Sequence, residues 1–232
     1  MKQLESRVAL SSDDRRAMLS LPHVIRSVDP AAYLAREGEP AQGCIVLLDG
    51  FVLRHKLTGE GNRQIVALHI PGDPLDFQML FLSTADHNVQ ALTRATIAAI
   101  PRGAVEGLMA ERPGIARAVT VNILAETSIT REWLLNVGRR DARARLAHLL
   151  CEFAARMEAQ GIDGNTGYEL PMTQEQLGDA LGLTSVHVNR TLRALESEGH
   201  IKRHGRRIQF ARMEEICGIA DFDPRYLHLG PC

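Results

Sequence analysis

From Pro113 to Val137 the chain runs for about 25 residues without a turn signal, nearly 40 Å of helix at about 1.5 Å per residue. Pro113 stands where a helix prefers its first-turn proline, and Gly138 where one prefers to stop. The apolar residues Ile115, Val119, Ile123, Ile129, Trp133 and Val137 recur at intervals of three, four and six, with alanines between them. One small domain cannot cover a helix of this length. Part of its stripe is therefore expected to meet a second copy of the chain, through Ile115, Val119, Ile123, Ile129 and Trp133. The alternative is a helix lying across its own domain.

Sequence texture differs on the two sides of this stretch. From Met1 to about Leu21 the chain reads as a short helix carrying Leu4, Val8 and Leu19, with Ser11-Ser12-Asp13-Asp14 as a cap and first turn. From His23 to Ile100 come short β-type runs: His23–Val28, Tyr33–Arg36, Cys44–Leu48, Phe51–Leu57, Arg63–Ile70 and Val89–Ile100. Glycine and proline punctuate them, with Asp49-Gly50 a strong hairpin signal because that turn needs positive φ. Such regular spacing predicts a small antiparallel barrel or jelly roll rather than βαβ units. The fold class is α+β, divided into a barrel over residues 1–112, the long helix over 113–138 and a helical domain over 139–232. Asp141 caps the helix that follows the long one; its core face is Leu146, Leu149, Leu150 and Phe153, and Gly161–Gly167 is a loop.

The 232 residues have 27 basic and 28 acidic side chains. No run of about 18 apolar residues exists to cross a membrane, and the acidic start does not read as a signal peptide. The four cysteines, Cys44, Cys151, Cys217 and Cys232, form no C-x-x-C pair, which points to a reducing, cytoplasmic setting. A net charge of −1 argues against nucleic acid until its distribution is read: Val186–Phe210 carries +4 and the remainder −5. A local basic surface is sufficient, since charge acts over a Debye length of about 8 Å.

The basic segment belongs to Leu170–Phe210, LPMTQEQLGDALGLTSVHVNRTLRALESEGHIKRHGRRIQF. Thr173 and Gln176 make a capping box, and Leu177, Ala180 and Leu181 a buried face. Gly182 closes this helix and Thr184 caps the next, whose Val188, Leu192 and Leu195 form one inward stripe. Helix, tight glycine turn, helix is the helix-turn-helix spacing. The second helix then presents Ser185, Val186, Asn189, Arg190 and Arg193 outward, the positions that enter a major groove. Arg190 suits a guanine edge or a phosphate, Asn189 an adenine edge, Val186 a thymine methyl, and Ser185 and His187 phosphates. After Gly199, His200–Phe210 predicts a hairpin turning at His204-Gly205-Arg206, with Lys202, Arg203, Arg206 and Arg207 as a basic wing. The tail reads as a helix over Met213–Ile219, with Phe222, Tyr226 and Leu227 packing back onto the protein.

The β-rich half, the long helix and the pattern T-x-E-x-L-G-x-x-L-G-L-(T/S)-x-x-x-V-x-R-x-L-x-x-L-E-x-x-G-x-I resemble the Crp/Fnr family over about Ala31–Phe210. The resemblance implies a homodimeric bacterial transcription regulator with a cyclic-nucleotide-binding-like sensor domain and a winged helix-turn-helix that reads double-stranded operator DNA. It places Thr173, Gln174 and the wing residue His204 against phosphates, Gly138 and Asp141 at a hinge, and RNA polymerase among the expected partners. Ser185–Arg190, S-V-H-V-N-R, is similar to a subgroup without a well-defined ligand. Val186 stands where the family commonly has a glutamate that reads a G·C pair, so a half-site other than T-G-T-G-A is expected.

The effector region departs from the cyclic AMP pattern. Family members that bind that nucleotide have a glutamate for the ribose and an Arg-Ser pair for the phosphate. Here Phe77 takes the glutamate position, between Asp76 and Gln78, and Ala85-Asp86-His87-Asn88 replaces the Arg-Ser pair. Thr127, Thr130 and Arg131 match the place of the nucleobase. Asp76, Phe77, Gln78, His87, Asn88, Thr127, Thr130 and Arg131 are thus the expected effector pocket, for a ligand other than cyclic AMP. No cysteine precedes Cys44, which leaves an iron–sulfur cluster short of ligands, and the histidines read as surface or core residues rather than haem or metal ligands. No cofactor is expected. A metalloenzyme of cupin type would need an H-x-H pair, and none occurs, so the chain is not read as an enzyme. A constitutive DNA-binding protein with a purely structural barrel is the other reading.

Overall fold

The computed structural model describes residues 2–40, 43–162 and 167–230. Two compact units result. The first holds residues up to Lys56, Ala67–Thr127 and the end of the tail from His228, and the second holds Leu57–Val66 with Ser128–Leu227.

In the first unit, α1 (Lys2–Glu5) and α2 (Ser12–Leu19) precede β1 (Val24–Val28), β2 (Tyr33–Ala35), β3 (Cys44–Asp49), β4 (Val52–Leu57), β5 (Arg63–His69), β6 (Asn88–Ala91) and β7 (Ala95–Ile100). The single expected N-terminal helix is two, because Ser11 accepts the Asp14 amide and starts a new helix there. The strands order as β1-β7-β3 and β2-β6-β4-β5. Alternation along the strands sends Leu47, Val52, Val89, Ala95 and Ile97 into one cluster with Leu75. Gly50 turns β3 into β4 at φ +84°, where a Cβ would strike the Arg94 carbonyl, but β3 pairs with β7 and β4 with β6, so Asp49-Gly50 makes a turn between the two sheets and not the expected hairpin. The expected strand Val89–Ile100 is two, broken where the Leu92 and Thr93 amides turn to the Phe51 carbonyl.

Helix α3 (Arg102–Glu111), which sequence patterning did not reveal, is followed by α4 (Pro113–Arg139). Ile115 and Val119 are fully buried in a cluster with Leu4, Leu10, Cys44, Phe77, Leu80 and Val105, and Ile123 packs on the same cluster. Burying such a side chain contributes about 1.5–3 kcal/mol, so Ile115 and Val119 are taken up by the core of their own chain rather than left exposed for a second copy. Trp133 is likewise buried, and Ile129 half-buried. The exposed stripe is a different one: Thr120, Leu124, Thr127, Arg131 and Leu135, spaced at three and four, with Leu134 beside it. Gly138 does not stop α4, which runs on to Arg139; the break is at Arg140.

The second unit is built on α5 (Ala142–Ala159), capped by Asp141, whose carboxylate accepts the Ala144 amide at 2.9 Å. Around it lie α6 (Gln174–Leu181), α7 (Ser185–Ser197), β8 (Tyr168–Glu169), β9 (Ile201–His204), β10 (Arg207–Phe210) and α8 (Met213–Ala220). The expected loop Gly161–Gly167 lies mostly outside the described residues, as does Cys232. Among the described residues no helix is long and apolar enough to cross a membrane.

The tail is held by buried polar chemistry. Glu152, 2% exposed, accepts the Trp133 indole at 3.0 Å and the Tyr226 hydroxyl at 2.7 Å, with Arg156 at 3.5 Å. His148 sits between Phe222 and Tyr226, stacked on the latter at 5.7 Å, with Glu132 at 3.3 Å from Nε2. Burial, then the Arg140 charge, lowers its pKa to about 3. A histidine held neutral stabilises the fold above its unfolded pKa of about 6.5, and that contribution is lost as pH falls toward the folded value. Urea unfolding at pH 7 and pH 4.5 should therefore differ by about 2–3 kcal/mol more in the native chain than in His148→Phe. Equal pH dependence of the two proteins would refute this.

Candidate nucleic-acid interface

Three local devices position the interface. Thr173 accepts the Gln176 amide at 3.2 Å while Gln176 Oε1 accepts the Thr173 amide at 2.8 Å, the full capping box. Gly182 ends α6 at φ +63° and ψ +40°. Thr184 then caps α7 by accepting the His187 amide at 3.2 Å. Gly178, whose role the sequence left unread, lies against the Leu183 carbonyl so closely that no Cβ fits. Both glycines of L-G-D-A-L-G are thus steric requirements of the turn.

Val188, Leu192 and Leu195 are buried as expected, which turns the opposite face of α7 outward. Gln174, Ser185, Val186, Asn189, Arg190 and Arg193 line one concave surface of about 330 Å³. Val186 is 78% exposed, an apolar side chain that nothing in its own unit covers. Among the described residues, neither Arg190 nor Arg193 has a hydrogen-bond or ion-pair partner, and no carboxylate lines the groove. Two unneutralised guanidiniums beside an amide and an exposed methyl surface suit a base-pair edge flanked by phosphates. His187 is half-buried, and its backbone serves the cap and a hydrogen bond from Thr191.

The wing is three-stranded, in the order β8-β10-β9, with β8 the strand the sequence did not indicate. Its tip presents Lys202, His204, Gly205, Arg206 and Arg207 to solvent. Arg203 is different: Nε and Nη2 reach Glu196 at 3.0 and 2.8 Å, and its amide donates to the same carboxylate. That hydrogen bonding holds Glu196 below the usual carboxylate range. Arg203 fastens the wing to α7 rather than adding a free cation. Arg203 is therefore spent on Glu196, and the acid beside the wing is neutralised.

The expected effector residues separate. Asp76, Gln78 and His87 converge: Asp76 Oδ1 accepts Gln78 at 3.0 Å and lies 2.9 Å from His87 Nε2, while His87 Nδ1 is 2.6 Å from Asp86. Burial pushes the Asp86 carboxyl up, but the His87 hydrogen bond and charge outweigh it and lower its pKa. The cation the sequence did not reveal is Arg54 on β4, 3.0 Å from Asp76 and 3.5 Å from Glu126 of α4, and also bonded to the Leu75 carbonyl. Burial raises the Glu126 pKa, against the pull of Arg54. An arginine on a strand carries no motif, which is why only the fold reveals it. Phe77 belongs to the hydrophobic cluster and not to this polar group, and Asn88 accepts the Glu37 amide at 3.2 Å. Thr127, Thr130 and Arg131 are exposed along α4, the last two within the second unit. Beside Asp76 a cavity of about 400 Å³ is lined by Arg26, Tyr33, Arg36, Glu39 and Cys44, with the Arg36 guanidinium 3.8 Å over the Tyr33 ring. Among the described residues no three His, Cys, Asp or Glu side chains come together as a metal site.

Known proteins match both units. Residues 25–112 match the cyclic nucleotide-binding domain family and residues 144–218 the Crp-like helix-turn-helix domain family. The chain is 32% identical over 166 residues to the transcriptional activator protein FnrL of Cereibacter sphaeroides, covering 68% of this chain and 66% of that protein. It is 29% identical over 187 residues to the nitrogen fixation regulation protein FixK of Azorhizobium caulinodans, covering 77% and 73%. The structure of FixK2 from Bradyrhizobium japonicum superposes with a TM-score of 0.77 at 24% identity, covering 86% of this chain and 98% of that one. With both domain families matched in order and the helix-turn-helix built as its motif requires, this chain belongs to the Crp/Fnr family of transcription regulators.

Proposed function

We propose that the chain is a homodimeric, sequence-specific DNA-binding regulator whose two α7 helices read the halves of an inverted repeat. The observation that carries this reading is the outward face of α7, where Val186, Asn189, Arg190 and Arg193 stand together without an internal partner. Thr173, Gln174, Thr184, Ser185, His187, His204 and Arg206 would then lie along the flanking backbone, where contacts set register. A second copy is the occupant proposed for the exposed stripe of α4, since the apolar Leu124 and Leu134 on it are 60% and 74% exposed. The break at Arg140, next to the Asp141 cap, is the proposed hinge. The chain is not an enzyme in this reading, works in the cytoplasm, and has RNA polymerase as a further partner.

The effector is proposed to be something other than cyclic AMP. Arg54, the half-buried cation near the expected pocket, is already paired with Asp76 and Glu126, and the cyclic AMP residues are absent. A purely structural barrel is the second reading, favoured by the same closed ion-pair network. Either way, an effector shifts DNA affinity only if it binds two states differently.

Selection of binding sites from random duplexes tests the reading. The expected product is an inverted repeat with half-sites about one helical turn apart and not T-G-T-G-A. Val186→Glu should move preference at one position toward a G·C pair by about tenfold. Recovery of strong T-G-T-G-A half-sites by the native protein would overturn the specificity argument.

A further inference from the structure

We propose that Cys151 and Cys217 are an oxidisable dithiol that closes to an intrachain disulfide and locks α8 onto α5. The two sulfurs stand 3.7 Å apart, one on each helix, 66 positions apart in sequence. Both lie within the second unit, where α8 packs against α5. Bond formation needs an S–S distance of about 2.05 Å, so the sulfurs must approach by under 2 Å, within the reach of side-chain rotation and small helix shifts.

The two thiols are unequal, which sets the order of steps. Cys151 is 1% exposed, while Cys217 is only half-buried and therefore meets solvent oxidant first. A hydroperoxide is the co-reactant. The Cys217 sulfur attacks its distal oxygen, the O–O bond breaks, and the products are Cys217 sulfenic acid and an alcohol, or water from hydrogen peroxide. The Cys151 sulfur then attacks the sulfenyl sulfur. The S–S bond forms, the S–O bond breaks, and the departing hydroxide leaves as water with the Cys151 proton. Two thiols are oxidised and one peroxide reduced. Burial pushes the Cys151 thiol pKa up and shields it from solvent oxidant, while its 3.7 Å contact with the Cys217 sulfur is what makes it the resolving thiol. Cys44, buried in the other unit with its pKa pushed up to about 12, has no comparable thiol partner among the described residues.

The consequence is mechanical. Helix α8 leads into the segment that seats Phe222 and Tyr226 against His148 and Glu152, and its Glu215 lies 3.3 Å from His200 at the base of the wing. A covalent tie to α5 fixes this arrangement and restricts the unfolded chain across a long loop.

The test is treatment of the reduced full-length protein with hydrogen peroxide, then alkylation of remaining thiols, peptide mapping and thermal unfolding. Expected is a linked peptide pair containing Cys151 and Cys217, retained in Cys232→Ser and reversed by dithiothreitol. The midpoint of unfolding should rise by at least about 5 °C. In Cys217→Ser, checked for folding by circular dichroism, Cys151 should remain a free thiol. Oxidation of Cys217 only to sulfinic acid, linkage only through Cys232, or full alkylation of Cys151 after peroxide would each overturn the proposal, and all three are read on the native chain even if Cys217→Ser fails to fold.

Discussion

Replacing Arg190 with alanine should weaken binding to the selected operator by about 10- to 100-fold, the effect of losing one bidentate contact of about 1–3 kcal/mol. The guanidinium is exposed on the face of α7 opposite Leu192 and Leu195, and no internal acceptor has to be vacated when it meets DNA. For the same reason its removal leaves the fold intact, so the change appears in affinity and not in thermal stability. Fluorescence anisotropy at fixed salt separates two roles. If Arg190 reads a base, Arg190→Lys fails to restore binding and discrimination falls at one position. If it clamps a phosphate, all sequences weaken equally and the salt slope drops by about one. Unchanged affinity in Arg190→Ala would place the DNA contact elsewhere and remove the main support for the proposed function.

The largest effect on stability is expected from Glu152→Ala. Its carboxylate is enclosed and serves Trp133, Tyr226 and Arg156 together. Deleting one partner of a buried ion pair is destabilising by about 3–5 kcal/mol, because the remaining charge and donors stay desolvated. For a unit of this size that corresponds to a fall of more than about 10 °C in Tm. Burial raises the carboxyl pKa against the attraction of Arg156 and the hydrogen bonds of Tyr226 and Trp133, so charge and hydrogen bonding are separable here. Glu152→Gln keeps an acceptor of the same shape and should lose less than half as much. A loss below about 1 kcal/mol in Glu152→Ala would mean that Trp133 and Tyr226 find other partners and that the tail is held by apolar contact alone.

Thr173 with Gln176, Gly182, Thr184 and Asp141 behaved as their local chemistry requires, since caps and left-handed turns involve atoms within three or four residues. Periodicity also placed Val188, Leu192 and Leu195 correctly, because the surrounding helix has one apolar stripe. On α4 the same reasoning read Ile115, Val119, Ile123 and Trp133 as a face for a second copy, whereas Ile115, Val119 and Trp133 are buried within the chain and Ile123 partly so. A periodic stripe reports that a face is covered, not by what, and here residues of the same chain cover it. Leu124, Leu134 and Leu135, diluted by threonine and arginine, left the weaker pattern and are the exposed set.

Taken alone, the sequence determined the order of domains, the helix-turn-helix, the side chains facing outward from α7 and the family, because each rests on short-range geometry and residue spacing. Tertiary structure alone decided the pairing of Arg54 with Asp76 and Glu126, the capture of Arg203 by Glu196, the enclosure of Glu152 and the meeting of Cys151 with Cys217. These partners lie from 4 to 74 positions apart, and a charge or a thiol has no periodicity that announces its partner. Their chemistry depends on distance and burial, which exist only once the chain has folded.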